Sequence, residues 1–460
     1  MGKLFLETIR SEGLSHLSYI IGHGGKAAVI DPRRDSRVYV DIAYEKGASI
    51  THIFETHRNE DYVIGSLDLA GRTGAEIYHS HATEFDYGNA VSEGSRFQLG
   101  SLEFRVLETP GHTYDSLSLA LVDKSFGEDP IAVFTGDALF IGDVGRTDFF
   151  PDRKEEVAGL LYDSIFNKLL PLGDYVILYP AHGAGSVCGA GMADREFSTL
   201  GFERRHNPVL QKTDREAFIR YKVNEHHYKP PYFSQMEKFN REGAPSLCEI
   251  PKPPPLGPSA FEERMNNGMI AVDTRSAEAF AGSFIPGSIA LPLEMIPAFA
   301  GYFIPYDREI GLITSGYEHV DRAVRFLIRM GYDTIAGHLD EGLHSWQVSG
   351  RKYDRIPAVH AKELVRRIQS NEDFTLLDVR RIDEVQKGHL PGAVHIYLGD
   401  LPDRLNDVPK ERPVTTFCGS GQRAIIAASI LKQNGFELVE DSLGSMAACN
   451  VIGCPIITKE

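Results

Sequence analysis

The stretch FETHRNEDYVIGS, Phe54 to Ser66, decides how the first half of the chain is read. It closes the run ASITHIFETH, a short apolar segment that reads as a buried strand ending at His57. Past that end stand His57, Asn59, Asp61 and Tyr62. Three later stretches repeat the plan. FRVLETPGHT ends at His112, IAVFTGDALF carries Asp137, and DYVILYPAHGAG carries His182. Upstream, HLSYIIGHGGKAAVIDP reads as a hairpin, with Ser18–Ile21 and Ala27–Ile30 around a Gly-containing turn. Four strands that each deliver a polar group at their C-terminal ends are how layered α/β proteins assemble a site on loops held by rigid elements.

The chain has 460 residues, too many for one ordinary core, and two to four domains are expected. No run of about 18 apolar residues occurs, so no membrane span or membrane partner is expected. A net charge of −16 argues against nonspecific nucleic-acid binding. The five cysteines, 188, 248, 418, 449 and 454, are irregularly spaced and form no C-x-x-C pair. Reduced thiols and a cytoplasmic location are the expectation.

The joint pattern is T-H-x-x-x-D, then T-P-G-H-T, then T-G-D-x-h-F (h apolar), then P-A-H-G. In this order it resembles the metallo-β-lactamase superfamily, over most of the first 245 residues. The resemblance implies an αββα sandwich. It also implies two adjacent metal sites built from T-H-x-H-x-D-H and the later ligands. Asn59 removes one imidazole from the first site, and Tyr62 removes one from the second. Neutral Asn is a weak ligand, and tyrosine binds only as phenolate, from a pKa near 10. What survives is His57, His112 and Asp137, two imidazoles and one carboxylate. That is the usual set of non-haem Fe(II) oxygenases with open positions.

One branch of the superfamily, the persulfide dioxygenases, uses such a mononuclear iron site. GDVGRTDF (Gly142 to Phe149) and YPAHGAGSVCGA (Tyr179 to Ala190) resemble its segments. The resemblance implies one Fe(II) per chain, with zinc able to occupy the site on purification. It also implies O2 and a low-molecular-weight thiol persulfide, of glutathione or coenzyme A type, as substrates. Asp61 and His182 are expected to hydrogen-bond to metal-bound water or substrate sulfur, and Asp61 also to orient His57. Tyr62 is expected to donate its O–H into the pocket. Arg146 is expected to fix the loop below Asp137 with Asp148. Cys188 reads either as a small buried filler or as a thiol lining the persulfide's route.

The segment YKPPYF…EGAPSLCEIPKPPPLGPSAF is rich in proline and glycine and marks a linker. An internal repeat follows: IAVDTRSAEAFAGSFIPGSIALPL (Ile270 to Leu293) matches TLLDVRRIDEVQKGHLPGAVHIYL (Thr375 to Leu398). Each copy continues into a strand, a polar loop and a helix expected to be amphipathic. The expected domains are 1–245, a linker at 246–258, then 259–355 and 356–460.

In the second copy, TTFCGSGQRAIIAASIL places Cys418 at a strand end with Arg423 opening a helix. Helix N-terminus, inward amides and a guanidinium all favour an anion at the sulfur. Gly419 and Gly421 allow the positive φ angles that such a cradle needs, and Ser420 and Gln422 complete it. This C-x5-R loop, with LLDVR and GHLPGAVHI, resembles the rhodanese family, which carries sulfane sulfur as a cysteine persulfide. Cys418 and Arg423 are the expected catalytic pair. In the first copy Ser315 stands where Cys418 does, and the nearest downstream arginine is Arg322, so that domain reads as inactive.

The overall expectation is an α/β protein of three domains: an αββα sandwich and two small rhodanese-like domains. It would oxygenate a thiol persulfide to sulfite and pass sulfane sulfur through Cys418, making or using thiosulfate. A homodimer or larger homo-oligomer is expected by analogy. Two alternatives stay open: a zinc-dependent glyoxalase II-like thioester hydrolase fused to a sulfurtransferase, and a sulfur carrier with a degenerate metal domain.

Overall fold

The computed structural model describes residues 4–186, 189 and 191–458, and the chain divides into two compact units. The first is Met1–Ile250 together with Ile328–Gly331, and the second is the rest. Cys188 lies outside the described residues.

The first unit stacks two six-stranded sheets. Sheet one runs β1 (Phe5–Ser11), β2 (His16–His23), β3 (Lys26–Ile30), β4 (Ser49–Phe54), β5 (Glu76–Ser80), β6 (Asn89–Val91) in spatial order. Sheet two holds β7 (Arg96–Leu99), β8 (Leu102–Glu108), β9 (Leu117–Asp123), β10 (Pro130–Gly136), β11 (Ile177–Pro180) and β12 (Ser198–Thr199). The expected hairpin is β2–β3, paired from Tyr19–Ile30 to His23–Lys26. Alternation along the strands sends Tyr19, Ile21, Phe54, Phe104, Leu119 and Phe134 into the layer between the sheets. The outer faces are covered by helices. Tyr39, Ala43 and Leu69 pack on sheet one, and Leu161, Ile165 and Phe218 on sheet two. The result is an αββα sandwich in which β4, β8, β10 and β11 end at one rim.

The second unit contains two parallel sheets. The first is ordered β13-β17-β16-β14-β15, from β13 (Pro255–Leu256), β14 (Ile270–Asp273), β15 (Ile289–Ala290), β16 (Ile310–Ile313) and β17 (Ile335–Leu339). The second is ordered β19-β18-β20-β21, from β18 (Thr375–Asp378), β19 (Val394–His395), β20 (Val414–Phe417) and β21 (Val439–Asp441). Pro255–Leu256 therefore closes the Pro-rich segment as an edge strand, where proline's missing N–H is tolerated.

The repeat is visible in atomic detail. Arg275 binds Asp273 and the Ser283 carbonyl; Arg380 binds Asp378 and the Gly388 carbonyl at the same offsets. Trp346 fills the first copy's core beside Phe261 and Leu339, its indole N–H donating to the Lys352 carbonyl.

Two expectations fail here. The helix Gln422–Gln433 is not amphipathic: Ala424 to Leu431 are all buried. One side lies on its own sheet. The other meets the first copy, where Ala290 N–H donates to Ser429 Oγ and Gln433 donates to the Gly287 carbonyl. A helix covered on both sides is apolar all round. The cysteines are not all reduced either: Cys449 and Cys454 form a disulfide. Gly453, at φ +72°, ends the helix Ser445–Ile452 and turns Cys454 back toward Cys449. Cys248 and Cys418 are free thiols. Among the described residues no helix is long and apolar enough to cross a membrane.

Candidate metal centre and sulfur cradle

His57, His112 and Asp137 converge, each from a loop following a strand end, with one donor atom apiece all within 4.8 Å of one another. All three are buried. Asp137 Oδ2 lies 3.5 Å from His112 Nε2 and 3.9 Å from His57 Nε2. Neither His112 Nε2 nor Asp137 Oδ2 has a hydrogen-bond partner. Unsatisfied buried polar atoms are expensive, and their convergence is what a cation site looks like.

The opposite ring nitrogens are held by the protein. His112 Nδ1 donates to the Arg146 carbonyl at 3.1 Å. His57 Nδ1 meets Thr56 Oγ1 at 3.0 Å, and Thr56 in turn donates its O–H to Asp31 Oδ2 at 2.8 Å. These contacts assign the tautomers and leave both Nε2 lone pairs toward the centre. Thr56 and Asp31 thus orient His57, the role expected of Asp61. Burial pushes the Asp31 carboxyl up to about 6, against the opposing pull of His57 and Thr56.

The remaining residues of the second-site pattern contact one another. His182 Nδ1 donates to Asp137 Oδ1 at 2.7 Å, and its Nε2 lies 3.1 Å from Asp61 Oδ2. Burial alone would depress His182, but Asp137 and Asp61 overcome it and hold the imidazole well above its ordinary range. Asp137 is likewise penalised by burial, yet His182, His57 and His112 hold it far below the usual carboxylate range. His182 thus lies between Asp137 and Asp61, and Asp61 Oδ1 has no hydrogen-bond partner. Tyr62 is buried, its ring 4.0 Å from that of His16 and its hydroxyl without a partner. Burial raises that phenol well above its ordinary range, which removes phenolate ligation. Asn59 turns its amide N–H to the His57 carbonyl. Arg146 grips Asp148 through two hydrogen bonds of 2.7 Å, donates to the Tyr228 carbonyl and lies over Phe149.

Sequence reasoning missed Glu60. It is 1% exposed, with Oε2 3.7 Å from His112 Nε2, and burial pushes its carboxyl up to about 8 despite His57 and Arg58. It falls at an unconstrained position of the motif, so no spacing signal marks it. Asp31 was findable: it directly follows β3, by the same strand-end logic.

In the second unit, Cys418 follows β20 and is fully buried. Gly421 N–H donates to its sulfur at 3.1 Å, and Cys418 N–H donates to Ser445 Oγ at 3.0 Å. Gly421 has φ +102° and caps the helix Gln422–Gln433. Gly419 is not in the left-handed region; a side chain there would press on Arg423, 3.0 Å away. The cradle thus needs one positive-φ glycine, not two. Arg423 does not bond to the sulfur. It forms a fork with Glu384, at 2.5 and 2.7 Å. Ser315 lines a separate cavity of about 150 Å³ with Thr314, Tyr317 and His338, while Arg322 pairs away with Glu294.

The sequence pattern of the metallo-beta-lactamase superfamily matches residues 12–182, and that of the rhodanese-like domain matches 257–349 and 360–449. A solved metallo-beta-lactamase from Staphylococcus aureus subsp. aureus COL is 32% identical. The alignment covers 73% of this chain and 98% of that one, with a TM-score of 0.66. Hydroxyacylglutathione hydrolase GloC of Haemophilus influenzae is 30% identical over 40% of this chain and 87% of its own length. Persulfide dioxygenase ETHE1, mitochondrial, of Mus musculus is 28% identical over 46% of this chain and 78% of its own.

Proposed function

The chain belongs to the metallo-beta-lactamase superfamily in its N-terminal half and carries two rhodanese-like domains behind it, and from that premise we propose that it oxygenates a thiol persulfide at one iron and transfers sulfane sulfur through Cys418. One observation carries the reading. Among the described residues, the side chains whose donor atoms converge as a metal site are His57, His112 and Asp137, while His182 hydrogen-bonds to Asp137 and lies against Asp61. A mononuclear two-His, one-carboxylate site suits O2 chemistry, whereas a hydrolase of this fold family draws on paired metals.

The orphaned His112 Nε2 and Asp137 Oδ2 fit a divalent ion, and His57, His112 and Asp137 would hold it. Iron(II) bound there supplies electrons and open positions for O2 and sulfur. The protein's own work is orientation. Thr56–Asp31 and the Arg146 carbonyl fix the two imidazoles, and His182 leaves Asp137 one oxygen to offer. The net reaction is RSSH + O2 + H2O → RSH + SO3²⁻ + 2H⁺, in which the sulfane sulfur gives four electrons to O2. At the cradle, Cys418–SSH + SO3²⁻ → Cys418–SH + S2O3²⁻, with the Gly421 amide holding the released sulfur anion.

The hydroxyacylglutathione hydrolase relative favours a second reading, thioester hydrolysis with zinc. Anaerobic metal loading separates them. Protein carrying about one iron per chain should consume O2 with glutathione persulfide and release sulfite. Two zincs per chain with thioesterase activity and no O2 uptake would overturn the oxygenase reading.

A further inference from the structure

Glu60 is the acid of the centre to which neither motif nor resemblance gives a task. Its side chain is buried, and neither carboxylate oxygen has a hydrogen-bond partner. The nearest cation is Arg58, 4.0 Å from Oε1, and that guanidinium also lies 3.6 Å from Glu237. Buried carboxyl groups left in this condition are retained where they coordinate metal or are otherwise paired. On the other side, Oε2 lies 3.7 Å from His112 Nε2. That nitrogen is itself without a partner and sits 3.5 Å from Asp137 Oδ2, which is also unpaired. The unpartnered oxygens of Glu60 and Asp137 thus both lie within 4 Å of the unpartnered His112 Nε2.

We propose that Glu60 is a fourth protein ligand to the iron, replacing the imidazole that Asn59 removes. The inference rests on the metal centre described above. Glu60 is outside the set whose donors all lie within 4.8 Å of one another, so ligation requires its carboxylate to rotate toward His57 and Asp137. The loop makes that economical. Asn59 turns away to the His57 carbonyl, and Asn240 holds the Asn59 and Tyr62 carbonyls at 2.7 Å, so the backbone on both sides of Glu60 is fixed. Two imidazoles and two carboxylates would neutralise a 2+ ion in a buried site.

The test is anaerobic Fe(II) titration against a competing chelator, with electron paramagnetic resonance of the nitric oxide adduct as a second readout. Wild type, Glu60→Gln, Glu60→Asp and His57→Ala are compared in the full-length chain, with folding checked by circular dichroism. Glu60→Gln should weaken Fe(II) binding about ten- to a hundredfold and change the rhombicity of the signal. Glu60→Asp, which keeps the carboxylate, should recover part of the affinity. Should Glu60→Gln bind Fe(II) within twofold of wild type and give the same signal while His57→Ala loses the ion, Glu60 is no ligand and the triad stands alone. Should Glu60→Gln fail to fold, Glu60→Asp decides: wild-type affinity together with an unchanged signal overturns the proposal. Wild type that takes up no iron overturns the metal centre itself.

Discussion

The two reactive groups are tuned in opposite ways by their neighbours. At the metal centre Arg146 is bound to Asp148, and Arg58 lies between Glu60 and Glu237. At the cradle the arginine is present but neutralised. Glu384 also receives the Arg381 backbone N–H, so it is held in place and cannot swing aside freely. Burial would raise the Glu384 carboxyl, but Arg423 keeps it below the ordinary carboxylate range. A thiosulfate dianion arriving at Cys418 must compete with this carboxylate for the guanidinium, whereas a persulfide carries at most one charge on its sulfur. Glu384→Gln should therefore raise kcat/KM for thiosulfate several-fold, mainly through KM, and leave transfer from a persulfide donor near the wild-type value. Parallel changes for both donors in a steady-state comparison would show that Glu384 merely shapes the loop.

Elements explain both what the sequence reveals and what it hides. The strand-end rule works because β4, β8, β10 and β11 reach the same rim, so His57, His112, Asp137 and His182 were legible from four apolar runs. The repeat was legible because each copy restates the Asp-x-Arg clasp, Asp273–Arg275 and Asp378–Arg380. What escaped are relations that no period encodes. Glu60 becomes a site residue only through the turn after His57. Arg423 is diverted by a glutamate 39 positions away. The helix Gln422–Gln433 is apolar all round because a second domain covers it, and the Cys449–Cys454 pair is made by the turn at Gly453. The last strand carries a further consequence. Asp441 ends β21 fully buried, with Oδ2 unpartnered and Thr416 donating to Oδ1 at 3.2 Å. Burial raises its carboxyl from 3.8 to about 7. The folded form thus holds a proton that the unfolded chain releases, and stability falls as pH rises through that interval, levelling off above about 7. Asp441→Asn removes the ionisation and should flatten this slope, making the variant more stable than wild type at pH 8 but not at pH 4. Urea unfolding at the two pH values reads the difference. A slope unchanged by the substitution would assign it to other groups.

At the scale of the molecule, the proposed function puts on one chain a centre that would make sulfite and a cysteine that would consume it. Sulfite leaving the first site would meet Cys418 persulfide at a concentration set by the tether, not by bulk dilution. The products therefore report the coupling directly. With a persulfide donor in excess, the intact protein should release thiosulfate, since each sulfite formed can take sulfane sulfur from Cys418. Cys418→Ser cannot carry that sulfur. Its alcohol takes the sulfur's place at the Gly421 N–H, and the backbone bond to Ser445 is unaffected, so folding should survive. O2 uptake should stay within about twofold of wild type, because no atom of the metal centre is touched, while the product shifts from thiosulfate to sulfite. Oxygen electrode traces and ion chromatography on the same samples measure both quantities. If O2 uptake collapses with the cysteine, the two activities share a step, and independent chemistry at the two sites is wrong. If thiosulfate persists, it forms without Cys418, through free persulfide and sulfite in solution. Mixing Cys418→Ser with a separate His57→Ala chain then isolates the tether. Both activities are present in that mixture but on different molecules, and thiosulfate yield should fall below that of the intact protein at dilute enzyme and approach it as enzyme concentration rises.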